Sequence, residues 1–162
     1  MTRAADRSDR IRVSTHRYTF QLVRETAPAY PFGSTVTCPR EVVAIAQHVI
    51  GSEICECLIA IFLDARHRVT GYAEVARGTL NATRFTPRDV LVPALKIACG
   101  SIVVAHNHPS GTVDPSRADR VVTSALREAC TVIGIPLLDH IIVTDSGYWS
   151  FRENGELDVM RT

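Results

Sequence analysis

Two short apolar runs constrain the fold of this chain more than any other feature of its sequence. "CLIAIFLD" (57–64) is continuous over the length of a strand, and "SIVVAH" (101–106) is a shorter run of the same kind. An apolar run of this length without polar alternation is typical of a strand that is covered on both faces. The sequence therefore predicts a buried sheet.

Segments with helical spacing of apolar residues alternate with these strands. Three such segments, each with a start signal and a stop signal, cover 37–51, 86–100 and 115–134. Pro93 is expected to interrupt and kink the second of them. Further strands are predicted at 68–78, 136–145 and 147–153. Strands interleaved with helices, together with a hairpin, predict an α/β fold, a layered sandwich with a mixed sheet.

The length of 162 residues fits one domain. Residues 1–34 are predicted to be a basic, partly flexible N-terminal arm and linker, in which "YTFQLVRE" (18–25) could form a strand. A contact of this arm with nucleic acid or an acidic partner is the alternative. The compact domain is predicted at 35–153, followed by a tail at 154–162.

Charge and cysteine usage limit the classes of function. Eighteen Lys and Arg against seventeen Asp and Glu leave a net charge of +1, which offers no general attraction for nucleic acid or an anionic membrane. The five cysteines are odd in number and lie largely in apolar runs, which favours a reducing compartment. Neither a signal peptide nor an apolar stretch of about 18 residues is present, so a cytoplasmic protein is expected.

The segment "AHNHPSGTVDPSRAD" (105–119) joins a predicted strand to a predicted helix. In an extended segment His106 and His108 point the same way, so both imidazoles can reach one point. A Pro-Ser-Gly turn follows, and Ser116 and Asp119 share a face of the first helical turn. If the loop folds back, Asp119 meets the two histidines.

Two imidazoles and one carboxylate suit a catalytic zinc that keeps its fourth position for water. The alternative for Ser116-x-x-Asp119 is a plain capping box, and Thr86-x-x-Asp89 has the same form without histidines nearby. His-x-His alone is also more often a hydrogen-bonded pair than a metal site. The whole arrangement in order favours a metal site with one zinc per chain.

The contiguous letters His-Asn-His do not indicate a nuclease. Nucleases of that name take their residues from positions dispersed over a ββα unit. A nucleobase deaminase would need His-x-Glu followed by Pro-Cys-x-x-Cys, and neither string occurs in the chain.

His-x-His, ten intervening residues and Asp, with Ser three residues before that Asp, resembles the zinc signature of the JAB/MPN/JAMM metalloprotease domain. Around it, "FLDARHRV", "RGTLNAT", "AHNHPSG", "PSRAD", "LLDHIIV" and "YWSF" are similar to the RadC branch of that superfamily over residues 35–153. The resemblance implies a three-layer α/β sandwich of the MPN/JAMM, cytidine-deaminase-like type.

The resemblance also implies the roles of individual residues. His106, His108 and Asp119 would ligate zinc, and Ser116 would donate a hydrogen bond to the developing oxyanion. Alignment of "ECLIAIFLD" with the family places the general acid/base on Glu56. Glu53 and Glu74 remain alternatives, and Glu56 could also simply end a buried strand. Asp139 and His140 in "LLDHIIV" would pack or orient the site.

These roles predict a zinc-dependent peptidase or isopeptidase that acts on a peptide or a ubiquitin-like conjugate. The first alternative is a DNA-repair-associated protein, either a DNA-binding module or a zinc nuclease. The nearly neutral net charge argues against a DNA-associated protein. RadC proteins commonly carry a helix-hairpin-helix module before this domain, and residues 1–34 do not match it, which is a second argument against this alternative. The second alternative is a scaffold that keeps zinc only for stability. The chain has Thr86-Pro87-Arg88-Asp89 where the family often has His-Pro-Arg-Glu, a departure that touches helix capping or substrate contact and not the metal.

Overall fold

A computed structural model describes residues 35–78 and 85–157 of the chain. The predicted arm at 1–34, with its strand at 18–25, lies outside these residues, as do the segment 79–84 and the last five residues of the predicted tail.

The described residues form three helices and five strands in the predicted order. The helices are α1 (Pro39–Ile50), α2 (Pro87–Ile97) and α3 (Arg117–Ile133). The strands are β1 (Cys57–Leu63), β2 (Val69–Arg77), β3 (Ser101–Asn107), β4 (Leu137–Val143) and β5 (Tyr148–Ser150). The predicted α/β class is confirmed.

The five strands make one sheet in the order β2-β1-β3-β4-β5. β3 and β4 are parallel, and the other neighbouring pairs are antiparallel, so the sheet is mixed as predicted. In the centre, β1 lies antiparallel to β3 with Leu58 opposite His106. The beginning of β1 and the end of β3 therefore meet at the same edge of the sheet.

Helices cover both faces of this sheet. α1 packs with Ile59, Ile61 and Val103 in a cluster on one face. α2 and α3 pack on the other face with the alternate residues of the same strands, such as Leu58 and Val104. Every residue of β1 and β3 is buried, which is the physical reason for their continuous apolar runs. The result is a three-layer sandwich.

Two elements differ from their predicted form. α2 continues through Pro93 as one helix instead of being interrupted there. A proline costs a helix one backbone donor, and the apolar face of α2 keeps Val90, Leu91 and Ala94 buried in the core on both sides of it. β5 ends at Ser150, earlier than predicted, because the next residues turn back. The Asp139 carboxylate holds that turn by accepting from the Ser150 hydroxyl and from the backbone N–H of Arg152.

Among the described residues, no helix has both the length and the apolar character that crossing a membrane requires.

Candidate metal centre

Three elements bring the candidate site together at one edge of the sheet. His106 lies in β3 and His108 follows that strand directly, while Glu56 immediately precedes β1. Asp119 lies in the first turn of α3, which begins after the loop that leaves β3. As predicted, the loop folds back, and Asp119 lies beside the two histidines.

The ligand atoms of Glu56, His106, His108 and Asp119 all lie within 4.8 Å of one another. The Nε2 atoms of His106 and His108 are 2.9 Å apart. An Asp119 oxygen lies 3.5 Å from Nε2 of His106, and its other oxygen lies 3.7 Å from Nε2 of His108. The four side chains thus surround one point at the mouth of the site.

A relay of hydrogen bonds sets the orientation and the tautomer of His106. The Thr123 hydroxyl donates its only proton to the backbone carbonyl of Asp119 at 2.5 Å, so its oxygen accepts from Nδ1–H of His140 at 2.6 Å. Nε2 of His140 then accepts from Nδ1–H of His106 at 2.8 Å. The free lone pair of His106 is therefore on Nε2, which faces the site.

His108 is held in the same tautomer by a different partner. Its Nδ1 lies 2.6 Å from the backbone carbonyl oxygen of Thr112, which can only accept, so Nδ1 carries the proton. Two Nε2 lone pairs consequently face each other across 2.9 Å, beside two carboxylates. Such a set of N and O lone pairs fits a divalent cation, and two imidazoles with a carboxylate are a donor set that zinc accepts.

The pKa shifts of the site residues differ with their burial and their neighbours. Burial lowers the pKa of His106 well below its ordinary value and lowers the pKa of His140 to about 4, so both rings are neutral at pH 7. The nearby Asp119 carboxylate raises the pKa of His108. Burial alone would raise the pKa of Asp119, but its contacts with His108, His106 and Ser116 hold that pKa below its usual range.

Ser116 is the N-cap of α3, and its hydrogen bonds differ from those of the similar motif at α2. Ser116 Oγ accepts from the backbone N–H of Asp119 at 3.1 Å, which leaves its hydroxyl proton available. The Thr86 hydroxyl instead donates to the Asp89 carboxylate at 2.8 Å. Two motifs of the same form therefore place their hydroxyl protons differently, and only the α3 motif adjoins the histidines.

Asn107, between the two histidines, joins the end of β3 to the segment that carries Glu56. Its buried side-chain oxygen accepts from the backbone N–H of Cys57 at 2.7 Å. Its amide nitrogen donates to the carbonyls of Glu53 and Cys55 at 3.1 and 3.0 Å. One side chain thus binds the peptide groups on both sides of Glu56.

The two alternative glutamates lie elsewhere. Glu53 and Glu74 both form ion pairs with Arg77, with the nearest N–O distances at 2.6 and 2.7 Å. Of the three glutamates, the structure brings Glu56 alone to the histidines, with Oε1 3.7 Å from Nε2 of His106. Its role as a general base stays a prediction.

A small cavity of about 70 Å³ opens beside the ligands. Glu56, His106 and Asp119 form its polar side. Apolar side chains form the rest of its wall: Leu58, Phe85, Ala118 and Val122. The site therefore has a small apolar compartment next to its candidate ligands.

Sequence reasoning missed two parts of this site. It predicted an orienting role for His140 but not the relay through Thr123, which looks like an ordinary residue of a helix. It also gave no role to Asn107, whose three side-chain partners, Glu53, Cys55 and Cys57, lie 50 to 54 positions earlier in the chain. The only available signal was that a polar residue ends a buried strand.

Comparison with known proteins agrees with the geometry. The family model described as "RadC-like JAB domain" matches residues 36–156. A UPF0758 protein of Chlorobium phaeovibrioides is 42% identical over 118 residues, which is 73% of this chain and 53% of that protein. A UPF0758 protein of Nitrosococcus oceani is 47% identical over 105 residues, 65% of this chain and 46% of that protein. A third, from Chromobacterium violaceum, is 42% identical over 77% of this chain and 56% of that protein.

The chain spans about half the length of the curated relatives that it matches. The matched region contains the whole described site, from Glu56 to His140. The family model covers most of the chain, and the described residues form a mixed sheet with helices on both faces. The chain therefore belongs to the RadC-like JAB domain family.

Proposed function

We propose that the chain is a zinc-dependent hydrolase that cleaves an amide bond, either in a peptide or in an isopeptide link to lysine. The observation that carries this proposal is the convergence of two Nε2 lone pairs, the Asp119 carboxylate and a fourth group, Glu56, within 4.8 Å. A scaffold that held zinc only for stability would not need the hydroxyl proton that Ser116 keeps available beside these residues. The JAB family supports a hydrolase of this class.

Zinc at this site would supply a Lewis acid that polarises a carbonyl and lowers the pKa of water. Glu56 Oε1 lies 3.7 and 4.0 Å from the two Nε2 atoms, too far for a direct hydrogen bond. In this proposal Glu56 reaches a water molecule that lies between its carboxylate and the two imidazoles. Glu56 would accept a proton from the attacking water and then deliver it to the nitrogen of the leaving amine.

Ser116 contributes a hydrogen-bond donor in this proposal. Because its oxygen accepts from the backbone N–H of Asp119, its proton is available for a negatively charged oxygen on the substrate. Donors of this kind lower the barrier when they point to the charge that develops in the transition state.

The cavity beside the candidate ligands supports a proposal about the substrate group that lies next to the scissile bond. Three of its apolar side chains, Leu58, Phe85 and Val122, would accept an uncharged side chain or an aliphatic lysine stem. A ubiquitin-like conjugate satisfies this requirement through its lysine methylenes. The substrate class we propose is therefore a peptide or protein conjugate rather than a nucleic acid.

Hydrolysis by matched glutamate variants tests the proposal. A quenched fluorescent peptide library and a Lys-linked isopeptide are incubated with zinc-loaded wild type, Glu56→Gln and Glu53→Gln. We expect Glu56→Gln to lower kcat by about 10²–10⁴-fold, because a general base is lost, and to retain its zinc. Glu53→Gln, three positions away and paired with Arg77, is expected to stay within a few-fold of wild type. Full activity in Glu56→Gln would exclude the proposed mechanism.

A further inference from the structure

Two thiols flank the candidate general base. The sulfur atoms of Cys55 and Cys57 lie 3.7 Å apart, in van der Waals contact, with Glu56 between them in the sequence. Both cysteines belong to the cluster on the α1 side of the sheet. Glu56 points to the other side, where it lines the cavity with Leu58. The sulfur pair therefore lies behind the site and does not touch the candidate metal ligands.

The two thiols have different surroundings. Cys57 is fully buried at the start of β1, and burial together with the neighbouring Cys55 thiol raises its pKa to about 12. Cys55 is half-buried, and a guanidinium nitrogen of Arg77 lies 3.6 Å from its sulfur. That guanidinium is also paired with the carboxylates of Glu53 and Glu74, so the difference between the two thiols is exposure, which allows an oxidant to reach the sulfur of Cys55. An oxidant would therefore reach Cys55 first, and the Cys57 sulfur in contact with it would be placed to attack the oxidised Cys55.

We propose that Cys55 and Cys57 are a redox modification site, which a hydroperoxide converts to an intramolecular disulfide. The chain has three other described cysteines, at positions 38, 99 and 130. Within the described part of the chain, the pair at 55 and 57 is the one with a direct sulfur–sulfur contact and one partly exposed member.

Disulfide formation would proceed in two steps. The Cys55 thiolate attacks the terminal oxygen of the hydroperoxide, and the O–O bond breaks, so Cys55 becomes a sulfenic acid. The released alkoxide takes a proton and leaves as an alcohol. The Cys57 sulfur then attacks the sulfenic sulfur, the S–O bond breaks, and the thiol proton leaves with the hydroxide as water. Two thiols lose two electrons and two protons, and the hydroperoxide gains them.

The disulfide would move the backbone that carries Glu56. Forming the bond brings the sulfurs from 3.7 Å to about 2.05 Å and closes a small ring that contains the Glu56 peptide. Asn107 binds peptide groups of both cysteines, so the same movement strains its hydrogen bonds. A ring of this size favours a bond that is easily reduced, which is typical of a regulatory disulfide. The effect on hydrolysis rests on the proposed function, whereas formation of the disulfide does not.

The disulfide can be detected by mass. Wild type is treated with hydrogen peroxide, alkylated under denaturing conditions and digested with trypsin, which releases residues 41–66 as one peptide that contains Cys55 and Cys57 and no other cysteine. We expect this peptide to escape alkylation, to lose the mass of two hydrogen atoms, and to regain two alkylation sites after dithiothreitol. Cys38→Ser, which removes an exposed thiol outside the pair, should behave like wild type.

Three outcomes would overturn the proposal. The peptide could carry two alkyl groups after peroxide treatment, it could carry Cys55 oxidised to a sulfinic acid beside a free Cys57, or it could be linked to a second chain. Cys55→Ser should give no disulfide and retain the zinc-loaded fold by circular dichroism. Cys55→Ser is the chosen variant because Cys55 is partly exposed, whereas a substitution of the buried Cys57 could prevent folding and obscure the result.

A parallel hydrolysis assay separates this inference from the proposed function. Oxidised wild type is expected to lose about a hundredfold in activity, because displacement of a catalytic group by about 1 Å costs that much, while Cys55→Ser keeps its activity in peroxide. A disulfide with unchanged hydrolysis would exclude the regulatory effect. A disulfide in a chain that hydrolyses no substrate even when reduced would refute the proposed function and leave the modification site standing.

Discussion

His106 and His108 are each oriented by a hydrogen bond at Nδ1, but the two bonds lead to different parts of the molecule. His108 depends on the carbonyl of Thr112 in its own loop. His106 depends on His140 in β4, which depends on Thr123 in α3. Because one hydroxyl proton fixes the direction of every bond in this relay, Thr123 controls the tautomer of a candidate ligand that it does not touch.

Thr123→Val removes the acceptor for Nδ1–H of His140 at nearly constant volume. We expect zinc affinity to fall by about 10–100-fold, because His106 then loses its preference for the tautomer with a free Nε2. Isothermal titration calorimetry with zinc gives the affinity. The control is Thr131→Val in the same helix, where the exposed hydroxyl also donates to a carbonyl four residues earlier. Equal affinities for the two variants would contradict the relay.

For individual residues, the spacing of His106, His108 and Asp119 in the sequence was enough to predict that they lie close together. The strand places the two histidines on one side, and the turn and the helix start return the aspartate. The resemblance implied an orienting role for His140, but spacing alone predicted neither its contact with His106 nor the one with Thr123, because His140 is 34 positions from His106 and Thr123 is 17 positions from His140. Contacts between distant segments depend on strand order, which periodicity does not specify.

The first turns of α2 and α3 offer an internal comparison of two helix starts. Thr86 and Ser116 occupy the same N-cap position, each followed by an aspartate three residues later. Ser116→Ala and Thr86→Ala should each lower the free energy of unfolding by about 1 kcal/mol, measured by urea denaturation.

Only Ser116→Ala should also affect hydrolysis. We expect its kcat to fall by about 10²–10³-fold with zinc content unchanged, because a donor to the oxyanion is lost. If Thr86→Ala lowered kcat to the same degree, the loss would come from helix capping, and Ser116 would have no part in the reaction.

Asn107 couples the end of β3 to the segment before β1. Asn107→Leu leaves a buried N–H and two carbonyls without their partner, so we expect a loss of roughly 2–4 kcal/mol in the free energy of unfolding. Hydrogen exchange at the Cys57 amide should accelerate. Asn154→Leu is the control, since Asn154 is exposed and makes one side-chain bond, to the Ser150 carbonyl. Similar losses in both variants would show that Asn107 has no special coupling role.

The elements themselves were largely predictable from the sequence. The apolar runs of β1 and β3 indicated strands buried on both faces, and both strands are buried along their whole length. The predicted interruption of α2 at Pro93 was wrong, because burial of the apolar face of the helix outweighs the loss of one backbone N–H donor. The early end of β5 could not be predicted either, since it depends on hydrogen bonds from Ser150 and Arg152 to the Asp139 carboxylate in the neighbouring strand.

For the whole molecule, a bound cation would connect two elements that are separate in sequence. His106 and His108 come from the end of β3, and Asp119 comes from the first turn of α3. A ligand that binds only the folded chain stabilises it, by about 4 kcal/mol at a concentration a thousandfold above Kd. We therefore expect zinc to raise Tm by about 10 °C or more, and a chelator to reverse the increase. A Tm that responds equally in Asp119→Ala would place the zinc elsewhere.

The most direct test of the central claim is the zinc content of purified wild type, Asp119→Ala and Glu56→Gln, measured by elemental analysis with isopeptide hydrolysis on the same samples. The account predicts one zinc per chain in wild type and in Glu56→Gln, little or none in Asp119→Ala, and hydrolysis in wild type alone. Absence of zinc from all three samples, after purification with zinc supplied, would contradict it. Ser116 and Asp119 would then be only the cap of α3.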